Sequence, residues 1–269
     1  MSEEITSLQN KIIKLAASLK QKKYRDELGL FAVEGIRLAE EAAHSDWPTP
    51  YCIYTENAAC NERVQNILSC LLTKDCKLIQ VSSAIYDKVT DTKQPQGIMI
   101  LAEKRVYCLA DLIVVGQQRP LFVVLDGIQD PGNVGTVIRT ADAAGCTGVI
   151  VTTGCADLFS GKTVRSSMGS LFHLPIVEAV SQGEILTFLR RQHISILATT
   201  LEDSVAYFKC DLTGAAALIL GNEGKGVSDE MLQEADARLH IPLYGKVESL
   251  NVAAAASVIL YEAVRQRCI

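Results

Sequence analysis

From Leu121 onward the chain alternates short, continuous apolar runs with stretches of helical periodicity. LFVVLD, GVIVTT, LPIVEA, ISILATT, AAALILG and ARLHIPL are the apolar runs, each of strand length. Among them NVGTVIRTADAA, GKTVRSSMGS, GEILTFLRRQ and SDEMLQEA read as helices, and the chain closes on a long one, SLNVAAAASVILYEAVRQR. Strands that are apolar at consecutive positions, alternating with helices, predict a mostly parallel sheet covered on both faces.

The pattern before residue 105 is less regular. Two helices around an extended piece, GLFAVEG, are expected between residues 12 and 42. YCIYTEN and CKLIQVS read as strands flanking a helix over 61–72, and GIMILAEK as a further strand. The expected organisation is a small α/β domain over 1–107, a linker over 108–119 and a larger α/β domain over 120–269.

Composition narrows the class. At 269 residues and 48% hydrophobic, the chain has ample material for a core. No apolar run approaches a membrane span, and the N-terminus MSEEITSLQN lacks the features of a signal peptide, so a soluble, cytoplasmic protein is expected. Nine cysteines show no CxxC or CxC spacing, and four histidines are scattered, which argues for reduced thiols and no metal site. The net charge of −5 opposes nucleic-acid binding over the whole surface. It is uneven, however. Residues 1–107 carry 14 basic and 14 acidic side chains, and Lys11, Lys14, Lys20, Lys22, Lys23 and Arg25 cluster there. That cluster reads either as a solvated helix face or as a local nucleic-acid patch.

Ligands in open α/β sheets collect outside the carboxyl ends of strands, and three loops stand there. In LDGIQDPGNVGTVIR, Asp130 and Pro131 suit a helix cap and first turn, while Gly132 and Gly135 allow close backbone approach. LILGNEGKGVS is a glycine loop after a strand. In IPLYGKVESLNVAAAAS, Ser249 is placed to cap the last helix. The second loop is no phosphate loop, because Val227 stands where lysine is needed. Nor is it a dinucleotide fingerprint, because Asp229 occupies the third glycine position.

Together these loops resemble the three ordered motifs of the SpoU/TrmH RNA 2′-O-ribose methyltransferases, of the SPOUT class. Asn133, Gly135 and Arg139 look like its N-x-G-x-x-x-R frame. Gly221, Glu223, Gly224 and Gly226 look like its G-x-E-G-x-G. Ile241, Pro242, Ser249, Leu250 and Asn251 look like its third motif. VRSSMGSLFHLP is similar to its connecting helix and strand, and FAVEG to the opening of its L30e-like RNA-binding domain.

The resemblance implies a SPOUT α/β domain with a deep trefoil knot, preceded by a small L30e-like domain over 1–107. It implies S-adenosylmethionine held by Thr199, Leu220, Gly221, Asn222, Gly224, Ile241, Leu250 and Asn251, and an obligate homodimer with the site near the subunit boundary. Arg139 is the candidate to stabilise the developing alkoxide. Asn133 and Asn251 would position the ribose or Arg139; Glu223 would pair with an arginine or orient the substrate; Ser249 would touch the reacting nucleotide or cap the helix. Gly135 would let RNA come close. Lys20, Lys22, Lys23, Arg25 and Arg139 are the expected RNA contacts. The implied activity is methylation of a ribose 2′-hydroxyl, with 23S-type ribosomal RNA favoured. Transfer RNA as the substrate, or a non-catalytic ribosome-assembly protein on the same fold, stay open as alternatives.

Overall fold

The computed structural model describes residues 3–113, Gly116 and 119–268. The chain forms two compact units. The first runs up to Arg105 and also includes Phe159–Phe172; the second comprises Val106–Leu158 and the chain from His173 on.

In the first unit β1 (Glu3–Ile5), α1 (Lys11–Ser18), α2 (Lys22–Leu28), β2 (Leu30–Glu34), α3 (Ile36–His44), β3 (Tyr51–Thr55), α4 (Glu56–Ala59), α5 (Glu62–Leu72), β4 (Lys77–Val81), α6 (Ser83–Val89) and β5 (Ile98–Glu103) follow in order. Their sheet has the order β1-β4-β3-β5-β2, with β5 antiparallel to both its neighbours and the other pairs parallel. Asn10 caps α1 by accepting from Ile12 N at 2.8 Å, and α2 ends at a left-handed Gly29. The single helix expected before GLFAVEG is therefore two. Three elements escaped the sequence pattern: β1, of which only Ile5 is buried, and the short helices α4 and α6.

The linker expected over 108–119 lies partly outside the described residues; Leu109–Leu112 within it is a 3-10 turn. Beyond it come β6 (Leu121–Asp126), α7 (Pro131–Ala143), β7 (Gly148–Thr152), α8 (Gly161–Ser167), β8 (Ile176–Val180), α9 (Gln182–Arg191), β9 (Ser195–Thr199), β10 (Val205–Ala206), β11 (Ala216–Gly221), α10 (Asp229–Gln233), β12 (Ala237–His240) and α11 (Val252–Arg267). Helix α8 lies in the first unit. Phe159 and Phe172, on either side of it, join an aromatic cluster with Phe31 and Trp47 at centroid distances of 4.9–6.2 Å. Sequence position put this segment with the second domain, but its apolar side chains find their burial in the first.

The second sheet is wholly parallel, in the order β10-β12-β9-β11-β6-β7-β8. Every residue of β6 is buried, as a strand covered on both faces requires. Phe122 and Val124 point into a core with Ile185, Phe188 and Leu189 of α9 and Met231 of α10. Helices α7 and α11 pack on each other and reach β7 and β11. Because β12 lies beyond β9 while α11 packs on α7, the chain after His240 runs back across the carboxyl ends of β9 and β11. That return path builds the site.

Candidate active site

Strand β6 ends at Asp126, a buried carboxylate. It accepts from Ser228 N at 2.8 Å, Gln182 Nε2 at 3.2 Å and Thr152 Oγ1 at 3.4 Å, tying together the ends of β6 and β7, the start of α9 and the loop after β11. A buried acid closing an apolar strand was a visible signal in the sequence, and neither Asp126 nor its partners had been singled out. Four residues on, Asp130 caps α7 through Asn133 N at 3.0 Å, with Pro131 in the first turn, as expected.

The loop after β11 is closed by paired backbone bonds between Asn222 and Gly226, each 2.9 Å. Asn222 Nδ2 donates to Gly127 O at 2.7 Å, and its Oδ1 accepts from the backbone of Gly224 and Lys225. The second motif is thus fastened to the first through backbone and amide groups.

A second fastening runs through side chains of all three motifs. Glu223 accepts from Asn133 Nδ2 at 2.8 Å and from the backbone N–H groups of Gln129 and Asp130 at 3.3 and 3.4 Å. Asn133 Oδ1 accepts from Asn251 Nδ2 at 2.9 Å. Asn251 Oδ1 in turn accepts from Ala253 N and Ala254 N, capping α11. A carboxylate only accepts, so Glu223 fixes which way the Asn133 amide faces, and Asn133 then fixes Asn251. Burial works to raise the Glu223 carboxyl, but the bond from Asn133 and the surrounding backbone bonds outweigh it and hold the group below its ordinary 4.5. A carboxylate so held stabilises the fold above its ordinary value and loses that contribution as pH falls through the lowered one. In Glu223→Gln the amide oxygen can still serve Asn133 Nδ2 and Asp130 N, but the NH2 then faces the Gln129 N–H donor. At neutral pH the variant is expected to be less stable by about 1 kcal/mol, with the gap closing below pH 4.5. Thermal melts across pH measure this, and a gap that stays constant into acid rejects the assignment.

The carboxyl ends of β9, β11 and β12, with the return loop and the start of α11, enclose a cavity of 950 Å³. Thr199, Leu220, Gly221, Asn222, Gly224, Ile241, Leu250 and Asn251 all line it, as do Glu223 and Ser249. Its wall mixes apolar side chains such as Leu239, Leu243 and Ile259 with amides and backbone. That volume and wall suit a nucleoside-sized ligand with a polar tail. Thr199 Oγ1 donates to Ile219 O at 3.0 Å and so serves the strand end as well as the wall. His240 and Ser204, bonded at 2.9 Å beside this cavity, carried no sequence motif and were missed.

Four expectations need correcting. Ser249 does not cap α11; Asn251 does, leaving Ser249 on the cavity wall. Glu223 pairs with no arginine among the described residues, and holds Asn133 instead. Gly135 is buried on the inward face of α7 with Val134, Val137, Ile138 and Ala141, so its small size serves helix packing and not an approaching RNA. Of the basic cluster, Arg25 is buried and donates to Leu19 O at 2.6 Å, and Lys20 Nζ donates to Thr90 O at 2.7 Å and Lys88 O at 3.3 Å. Arg25 is therefore structural, whereas Lys20 stays exposed while tied to two carbonyls. Lys22, 3.8 Å from Asp26, and Lys23 keep their charges at the surface.

Arg139 does not line the cavity. It stands exposed on α7 with no ion pair or hydrogen bond among the described residues. Asp142, one turn further along α7, is engaged instead with His173 Nδ1 at 3.0 Å.

Comparison with known proteins decides the family. Residues 120–261 match the model of the SpoU rRNA methylase family. The chain belongs to that family. Residues 10–100 match the MRM3-like substrate binding domain. A 23S rRNA (guanosine(2553)-2′-O)-methyltransferase of Bacillus subtilis (strain 168) is 34% identical over 96% of this chain and 98% of its own. A 23S rRNA (uridine(2479)-2′-O)-methyltransferase of Streptomyces viridochromogenes is 32% identical over 99% and 93%. Among solved structures, an AdoMet-bound rRNA methyltransferase from Sinorhizobium meliloti superposes with a TM-score of 0.87 at 34% identity, covering 98% of each chain. The SpoU match spans the parallel sheet and also segment 159–172 of the first unit, and the substrate-binding match lies within the mixed-sheet unit.

Proposed function

We propose that this SpoU-family enzyme transfers a methyl group from S-adenosylmethionine to a ribose 2′-hydroxyl of large-subunit ribosomal RNA. The observation that carries the site is the bond chain Glu223–Asn133–Asn251, which joins all three motifs at the rim of the 950 Å³ cavity. The AdoMet-bound relative and the rRNA-acting relatives support the cofactor and substrate.

S-adenosylmethionine supplies a methyl carbon already activated by its sulfonium leaving group. Within the cavity, backbone around Gly221, Ile241 and Leu250 would hold the cofactor, with the Asn222 amide fixing the loop beside Gly221. The residues of the chain then have two tasks, to align the ribose oxygen and to favour its ionised form. Asn133 and Asn251, each locked by its neighbour, align it. Arg139, whose guanidinium keeps its charge in proteins, stabilises the developing alkoxide while a phosphate or water takes the proton. Ser249 adds a hydroxyl-bearing residue to the wall.

Arg139 lies outside the cavity wall, which fits a homodimer with the site at the subunit boundary. Support comes from α11, where Ala254, Val258 and Tyr261 recur at helical spacing on the exposed face; Tyr261 is 52% exposed. Light scattering is expected to give twice the chain mass, and a monomer rejects the dimer. The substrate-binding unit offers Lys22 and Lys23 to RNA phosphates. Replacing both by alanine is expected to weaken RNA binding several-fold and to lower the salt slope by about 2. An unchanged slope moves the RNA surface elsewhere. The enzyme acts where ribosomal RNA is found, in the cytoplasm, and its nine free cysteines suit that setting.

Mapping 2′-O-methylation across total RNA, with and without this protein, tests the whole reading. One ribosomal mark lost is the expected result. A lost transfer-RNA mark corrects the substrate, and no lost mark rejects the activity.

A further inference from the structure

The cavity wall is electrostatically lopsided. Glu202, Glu223, Asp229 and Glu248 line it against one ammonium, Lys225; His240, the remaining titratable group, shares its Nδ1 with Ser204 Oγ. Glu223 is occupied in holding Asn133. The other three carboxylates are exposed, and their side chains make no hydrogen bond or ion pair among the described residues. No loop depends on them. They set a negative potential over the space they border.

The two forms of the cofactor differ in the quantity that such a wall reads. S-adenosylmethionine carries a sulfonium and an ammonium against one carboxylate, a net positive charge. S-adenosylhomocysteine, left after transfer, lacks the methyl group and the sulfonium charge, and is neutral overall. Shape and hydrogen-bonding groups are otherwise shared, so apolar contacts and amides cannot tell the two apart by much. Charge can. We propose that Glu202, Asp229 and Glu248 are specificity-determining residues that make the cavity prefer the cationic cofactor over its neutral product, limiting product inhibition. This rests on the reading of the cavity as the cofactor site.

Exposed carboxylates act through screened water, so at a separation of about one Debye length three together are worth roughly a twofold preference. Calorimetric titration of the full chain with S-adenosylmethionine and with S-adenosylhomocysteine reads it directly. In the triple variant Glu202→Gln, Asp229→Asn, Glu248→Gln the ratio of the two affinities is expected to fall about twofold, mostly through weaker binding of the cation. Raising salt to about 1 M is expected to compress the wild-type ratio in the same direction. The single variant Glu248→Gln carries part of the shift should the triple one fold poorly. A ratio unmoved in a folded variant overturns the proposal. Ala255→Leu, which adds bulk to the wall on α11, separates this from the underlying reading. If both ligands bind that variant as they bind wild type, the cavity is not the cofactor site. If both are weakened while the triple variant keeps its ratio, the cavity stands and the charge role falls.

Discussion

Arg139→Ala is expected to lower kcat by roughly 10²–10³-fold while leaving S-adenosylmethionine affinity and stability close to wild type. The separation follows from position. Arg139 is outside the 950 Å³ cavity, so nothing in the cofactor's wall changes when it is truncated. It is exposed and makes no ion pair or hydrogen bond among the described residues, so the fold loses no contact, and a stability change within about 0.5 kcal/mol is expected. What is lost is a fixed positive charge for the ribose oxygen as it ionises. Arg139→Lys keeps the charge but not the planar fork, and is expected to recover activity only in part. Single-turnover kinetics with the RNA substrate, beside calorimetry with the cofactor, measures both halves. Cofactor binding lost in a folded Arg139→Ala protein would show that the residue serves the cofactor instead, and unchanged kcat would remove it from the chemistry.

The succession of strands and helices in the second unit, apart from β10, and the position of its three loops were legible because continuous apolar runs and glycine loops are local signals. The cap on α7 was legible for the same reason, since Asp130 and Pro131 are adjacent. The bond chain was not. Glu223 and Asn133 are 90 residues apart and Asn133 and Asn251 are 118 apart, and no local rule says that an acid meets an amide and not an arginine. Residue type misled in two places. Lys20, Lys22, Lys23 and Arg25 share a short stretch of sequence, but Lys20 lies between α1 and α2, and α2 turns Arg25 inward while Lys22 and Lys23 stay exposed. Ser249 and Asn251 were both acceptable caps by residue type. The helix takes Asn251 because its Oδ1 reaches Ala253 N and Ala254 N while its Nδ2 remains free for Asn133. Segment 159–172 shows a third limit: periodicity identified the helix but not which core its phenylalanines enter.

Gly221→Ala is expected to have the largest effect on the cofactor site as a structure. A Cβ at this position would lie 2.1 Å from both Gly226 C and Val227 N, and 2.5 Å from Gly226 O. All three are backbone atoms, so no rotamer change relieves the overlap and the loop itself must move. Moving it breaks the paired bonds between Asn222 and Gly226 and pulls on the Asn222–Gly127 and Ser228–Asp126 bonds, which hold the second motif to the first. A loss of about 3 kcal/mol in stability, with cofactor affinity down roughly 100-fold, is in keeping with overpacking that also breaks a buried network. Gly224→Ala is the control from the same motif. Its nearest neighbour is Asn222 Oδ1 at 3.6 Å, an ordinary contact, so stability is expected to change by under about 1 kcal/mol. Thermal melts and cofactor titrations of the two variants side by side decide the matter. Equal effects would mean that glycine in this motif is there for flexibility in general. A large effect confined to Gly221 means that the second loop is built on one close approach of backbone to backbone, with the cofactor's wall as its outer face.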